Sequence, residues 1–304
     1  MAVPALKTFM SQLSLENPAA EPDPSTTSVK PRPYKVIKPK SGWQALNVRE
    51  LWQFRDLLLI LAQRDIRLRY KQTVLGVVWV VLQPLISAGI FAFVFGKVAK
   101  LDSPAGVPYF VFAYTGLLAW NLFSSTLTKV SGSLVSNSNL VSKVYFPRLV
   151  LPLSTVFSSL LDFAVALVML VVIMAVTHVA PGIGLLLLPL WMALLLLLAT
   201  GVGLYAASLM VSYRDIQYIL PVTTQFLMYA SPVGYAISHV DAKFRTLYLL
   251  NPLASLLEGF RLSVLNRGQL QPAMVAYAVL FSVAVFVLGA FAFRRMERKF
   301  ADVI

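Results

Sequence analysis

Cysteine is absent from this 304-residue chain, which excludes disulfides, thiolate catalysis and cysteine-ligated metal sites. Histidine occurs only at His178 and His239, in different loops, so no shared metal or base is expected. Charge is scarce too: Asp, Glu, Lys and Arg make up 13% of the chain, against about 25% in soluble domains. No GxxxxGK[ST] stretch occurs, which excludes ATP binding by that route, and HExxH and GxSxG are missing. A membrane transferase for lipid-linked sugars expects clustered acids or a DxD-type metal site, and a secondary transporter expects internal repeats and buried ion-coupling residues. Neither pattern is evident. The N-terminus lacks a signal peptide's apolar core: residues 1–42 are rich in Pro, Ser, Thr and Lys and are expected to be a disordered cytoplasmic tail.

What is present is apolar. With 58% hydrophobic residues, most of the surface needs a solvent other than water, and the chain reads as an all-α polytopic membrane protein. The net charge of +13 would suit nucleic acid, but the bases cluster at the ends of apolar segments, where an anionic membrane leaflet explains them better. Segments long enough to cross, roughly 20 residues each, lie at 74–96, 108–128, 149–177, 183–211, 217–238 and 272–293. A further stretch, 246–265, is interrupted by Asn251-Pro252 and carries Glu258 and Arg261.

Loop charge decides between six spans and seven. Six spans place 20 basic residues on one side and 6 on the other, the asymmetry of a cytoplasmic and an outer face. A seventh would move the FRRMERKF tail across and spoil it. Residues 246–265 are therefore expected to dip into the outer leaflet and return, which is tolerated only where protein or a wet cavity surrounds them. Both termini are expected on the cytoplasmic side of the membrane. The expected organisation is a tail at 1–42, an amphipathic interfacial helix at 43–73, and a six-helix domain at 74–304 ending in a cytoplasmic tail, 294–304.

Before the first span, Leu51, Phe54, Leu58, Leu61 and Leu68 recur at helical spacing, with Arg55, Gln63, Arg67 and Lys71 largely opposite. Asp162 is the one acid inside the six spans, and Ser158 and Ser159 are expected to satisfy it. Glu258 and Arg261 share a helix face and are expected to neutralise each other. Aromatic residues punctuate two spans: Tyr114, Trp120 and Phe123 in the second; Phe226, Tyr229 and Tyr235 in the fifth. They serve either as packing or as a sugar-binding channel wall, since aromatic faces accept the apolar C–H surface of sugars. The polar stretches 131–148 and 211–218 are placed to meet a cytoplasmic partner.

RDIRLRYKQTVLGVVWVVLQP at 64–84, GLLAWNLFSSTL, SLVSNSNLVSKVYFPRLVLPLS and SYRDI, in that order, resemble the permease subunits of type-2 polysaccharide ABC exporters, above all the Wzm type that exports O-antigen. The resemblance runs from about residue 45 to the C-terminus. It implies a homodimer of six-span subunits paired with two copies of a cytoplasmic ATPase, which holds ATP and Mg. This chain itself carries no catalytic residue, cofactor or metal. A channel for a lipid-linked glycan is implied at the dimer interface, lined by Tyr and Phe of the first, second and fifth spans. Residues 50–71 resemble the gate helix at the cytoplasmic mouth, where Arg64, Arg67, Arg69 and Lys71 would meet a lipid-linked diphosphate. Ser133, Ser136, Asn137, Asn139 and Lys143 fall on the segment that resembles the ATPase-coupling helix, with Tyr213, Arg214 and Asp215 nearby. Teichoic-acid and capsule exporters share this architecture and are the nearest alternatives.

Overall fold

A computed structural model of the protein describes residues 48–71, 76–104, 106–237, 240–241, 243–244, 248, 250–267 and 271–297; side chains are not described at 48–50, 69–71, 76–77 and 183. The expected tail (1–42) and His239 lie outside the described residues. Every regular element described is helical: α1 (Val48–Gln53), α2 (Arg55–Lys71), α3 (Gly76–Phe91), α4 (Tyr109–Ser136), α5 (Ser138–Lys143), α6 (Val150–Val176), α7 (Leu188–Ser212), α8 (Ile216–Tyr229), α9 (Pro252–Leu265) and α10 (Pro272–Glu297). Pro84 sits inside α3, where it has no N–H to give the Val80 carbonyl. The helix continues as a π-helical stretch, Ala92–Val98.

Five helices are long and apolar enough to cross a membrane: Val78–Val98, Tyr109–Ser136, Val150–Val176, Gly184–Ser212 and Pro272–Glu297. The expected span 217–238 is not one such helix. Its helical part, α8, has 14 residues, about 21 Å at 1.5 Å per residue, short of a hydrocarbon core of about 30 Å. Beyond Tyr229 the chain turns at Ser231-Pro232 and stays irregular to Ala236.

Helix α4 is the hub, with 78% of its most apolar stretch buried, whereas α3 buries 11% of its own. Two clusters form the core. One joins Leu61 of α2, Val130 and Leu134 of α4, Val141 of α5, the start of α6, Leu204, Ala207 and Val211 of α7, and Ala290 and Phe293 of α10. Arg55, Arg64, Arg67, Lys143, Arg148, Arg214, Arg294 and Arg295 belong to these elements or adjoin them, so this is the basic end of the bundle. The other cluster contains Leu188, Trp191, Leu195 and Leu198 of α7, Ala278 of α10, most of α4 and one face of α9.

Early residues of α7 and α10 share one cluster and late residues the other, so these two helices run parallel. They cross where two glycines meet: a Cβ on Gly289 would strike the Gly201 carbonyl, and one on Gly201 would lie 2.6 Å from Phe286 Cα. The chain between them must therefore return along the bundle. Tyr109, the first residue of α4, donates its hydroxyl to the Gly234 carbonyl at 2.5 Å, placing Gly234 at the end opposite the basic one.

The apolar stripe before the first span packs in part as expected. Leu61 is buried, and Leu51, Phe54 and Leu58 pack against the basic-end cluster. Leu68 is exposed, however, and so are Trp52, Leu59 and Ile60 on other faces. The helix also breaks at Phe54, between α1 and α2. Its apolar side is thus partly a protein contact rather than a clean lipid-facing stripe.

Candidate functional site

At the basic end, α4 stops at Ser136 and the chain turns through Asn137 into α5. The Asn137 amide donates to the Ser133 carbonyl at 2.9 Å, closing the turn, and its side-chain oxygen accepts from Arg64 Nη2 at 2.6 Å. Arg64 also pairs with Asp65 at 2.8 Å. Helix α2 and the turn between α4 and α5 are thereby joined across 73 positions of sequence. Ser136, Asn139 and Lys143 are exposed, as are Tyr213, Arg214 and Asp215 on the neighbouring turn. Ser133 is not: it is buried and donates its hydroxyl to the Val130 carbonyl at 2.7 Å, so it cannot meet a partner. Arg67 is exposed, while the side chains of Arg69 and Lys71 lie outside the described residues. Tyr145, 89% exposed just after α5, was not singled out by sequence; its position in VYFPR gives no periodic signal.

The aromatic candidates divide. Tyr114, Trp120 and Phe123 are buried inside the protomer, Tyr114 donating to the Ala166 carbonyl of α6 at 3.0 Å and Trp120 packing on Phe123. They are wall packing, because the hub position of α4 turns this face into the bundle rather than to a channel. Phe226 and Tyr229 are 71% and 58% exposed on α8, a helix that buries no residue. Tyr235 is half-buried and hydrogen-bonds Tyr248, and both hydroxyls reach the Tyr229 carbonyl.

At the end opposite the basic one, Arg261 is 1% exposed and ties three elements together. Nη1 pairs with Glu258 at 2.9 Å, and Nη2 donates to the Pro232 and Val233 carbonyls, each at 2.9 Å. The guanidinium lies 4.1 Å from the centroid of Phe112. Gly116 of α4 leaves the room: a Cβ there would collide with the Val233 carbonyl and lie 2.6 Å from Arg261 Nη2. Asn251 caps α9, accepting from the Leu253 N–H at 3.1 Å and donating to Ser231 at 2.9 Å. The expected Glu258–Arg261 ion pair is formed, and the backbone carbonyls are what the arginine adds to it.

Within the bundle, Asp162 finds its counter-charge on another helix. Lys129 Nζ lies 2.7 Å from Asp162 Oδ2 and donates to Ser158 Oγ at 3.0 Å. The expectation that Ser158 and Ser159 satisfy the acid is corrected: Ser158 bonds the lysine, and the Ser159 hydroxyl is buried without a hydrogen-bond partner among the described residues. By hydropathy Lys129 belongs to a loop, because the apolar stretch ends at Leu127; the helix carries on for two more turns.

Residues 56–265 match the ABC-2 type transporter family. The chain is 30% identical over 262 residues to an O-antigen export system permease protein of Myxococcus xanthus, covering 84% of this chain and 98% of that one. A protein of the same description from Klebsiella pneumoniae is 29% identical over 256 residues, covering 82% and 95%. The polysialic acid transport protein of Escherichia coli is 24% identical, covering 77% and 91%. These relatives are described as export permeases or transport proteins, and the chain shares with membrane transporters five helices long and apolar enough to cross a membrane. The chain is a multi-pass membrane protein of the ABC-2 transporter family.

Proposed function

We propose that this protein is the non-catalytic membrane subunit of an ATP-driven exporter that carries a lipid-linked polysaccharide of the O-antigen type across the bacterial inner membrane. The observation that carries this reading is the nearly end-to-end likeness to O-antigen export permeases of two organisms. A capsule-type cargo is the second reading, supported by the Escherichia coli relative at lower identity. Six crossings suit the bundle: α7 and α10 run parallel, and α8 with the turn after it leads from the basic end to Gly234. The 20-to-6 division of basic residues then supports a topology with both termini in the cytoplasm.

Two copies of the chain meet along faces that one protomer leaves uncovered, above all α3 and α8. A channel between them is walled by Phe226, Tyr229 and Tyr235, uncharged rings that hold sugars weakly enough to release them. Residues 239–270 shape the outer mouth as re-entrant helices, with Glu258 and Arg261 as their anchor. Two cytoplasmic ATPase subunits hold ATP and Mg and dock on Ser136, Asn139, Lys143, Tyr213, Arg214 and Asp215. The 43–73 segment lies at the membrane interface ahead of the 74–304 domain and gates the inner mouth, where Arg64, Arg67, Arg69 and Lys71 meet the lipid diphosphate. Cells lacking the chain are expected to lose surface glycan and accumulate lipid-linked polymer inside; undiminished surface glycan overturns the reading.

The Arg64–Asn137 hydrogen bond joins docking surface to gate. Arg64→Ala and Asn137→Ala are each expected to cut export while the ATPase goes on hydrolysing ATP, and the double variant should do little more than either alone. Coupling of about 1–2 kcal/mol is expected from such a charge-assisted bond. Additive losses in a double-mutant cycle of glycan export against ATP hydrolysis would show that the two residues act separately.

A further inference from the structure

Helices α3, α4 and α6 leave between them a groove of ≈ 320 Å³. Its polar wall is made by Gln83, Asn121, Ser125, Lys129, Ser159 and Asp162, and its floor by Pro84, Leu118, Leu122 and Phe163. Asp162 stands twelve residues into the 27-residue α6, about 18 Å from its start, so the groove opens at the depth of the hydrocarbon.

Lipid chains are a poor occupant for such a wall. The amides of Gln83 and Asn121 and the hydroxyl of Ser125 face this space, each on a residue that keeps exposed surface. Hydrocarbon offers them no hydrogen bond, and leaving such groups dry is costly. An anion is also a poor occupant, because Lys129 already holds Asp162 at 2.7 Å and the pair carries no net charge. What fits is a neutral ligand that both donates and accepts hydrogen bonds and has an apolar face for Phe163 and the leucines. The volume is at the lower limit of small-molecule sites, about 300–1,000 Å³, which suits one ring rather than a run of them.

We propose that this groove is a sugar subsite, which takes one uncharged, hydroxylated, pyranose-sized ring of the glycan and lies open to the translocation path rather than to lipid. The proposal rests on the exporter reading above and adds a place where the cargo is held. The wall is neutral overall, so it grips each ring weakly and lets the polymer move on.

The absence of cysteine makes an introduced thiol unique. Ser125→Cys, and separately Thr128→Cys on the same wall, are placed in the full chain with its ATPase partner and assayed in inner-membrane vesicles with a water-soluble maleimide. Vesicles come from cells that make the polymer and from cells blocked in its first sugar transfer. Val168→Cys, on an exposed apolar position of α6, is the lipid-facing control. The expected result is labelling of both groove thiols in glycan-free vesicles, clear protection in glycan-containing ones, and no labelling at 168 in either. Equal labelling with and without glycan overturns the subsite, and so does absence of labelling in both, which means the groove is sealed. Protection by inorganic phosphate in the glycan-free vesicles overturns it as well, by revealing an anion site. Surface glycan in cells without the chain separates the two readings. If export depends on the chain but the thiols are never protected, the subsite alone falls.

Discussion

Arg261→Ala is expected to destabilise the protein by about 3–5 kcal/mol, the range for breaking a buried ion pair from one side. The loss is large because the guanidinium serves several acceptors at once. Removing it strands Glu258 and leaves the Pro232 and Val233 carbonyls without their arginine donor, in a place water reaches poorly. It also removes the cation from the face of Phe112. Arg261→Lys should recover little, since a point ammonium cannot match a planar fork that reaches a carboxylate and two carbonyls and stacks on a ring. Gly116→Ala should mimic the loss from the other side, because its methyl would occupy the space of the Val233 carbonyl and Arg261 Nη2. Thermal unfolding in nanodiscs, followed by tryptophan fluorescence, measures all three. An Arg261→Ala protein within about 0.5 kcal/mol of the parent, the range of ordinary surface substitutions, would show that the cluster is not what holds α9 to the bundle.

The apolar runs were legible in the sequence, and so was the basic character of one end, because hydropathy and loop charge are one-dimensional quantities. What sequence could not supply is which face of a helix meets which neighbour. Tyr114 and Tyr229 both fall inside their expected spans, yet α4 is the hub and turns Tyr114 onto Ala166, while α8 lies at the margin and leaves Tyr229 out. The partners of Arg261 were illegible for a different reason: two are backbone carbonyls, and no residue type encodes a free carbonyl. They are free because the segment around Ser231-Pro232 is not helical, the same break that shortens the expected fifth span to α8. Resemblance to the exporter family supplied the functional class, which composition alone had narrowed only to a multi-pass membrane protein.

Lys129 and Asp162 show the same limit and yield the second large effect. Sequence neighbours offer Asp162 only the serines of its own helix, whereas the lysine comes from 33 residues away. Both side chains are mostly buried, so Lys129→Ala and Asp162→Ala should each cost about 3 kcal/mol by leaving one largely buried charge without its partner. Exchanging the charges, Lys129→Asp with Asp162→Lys, should restore much of the loss, because the Coulomb attraction has no direction. An apolar pair, Lys129→Met with Asp162→Leu, should be about as stable as the parent, since it removes the desolvation penalty together with the attraction. Its export should nevertheless fall, because the groove loses the donor and acceptor that a sugar ring would use. Stability and export thus part company in this one variant: a stable protein that exports glycan at the parental rate would reduce the pair to a strut between α4 and α6, whereas a stable protein that fails to export assigns it to the path of the cargo.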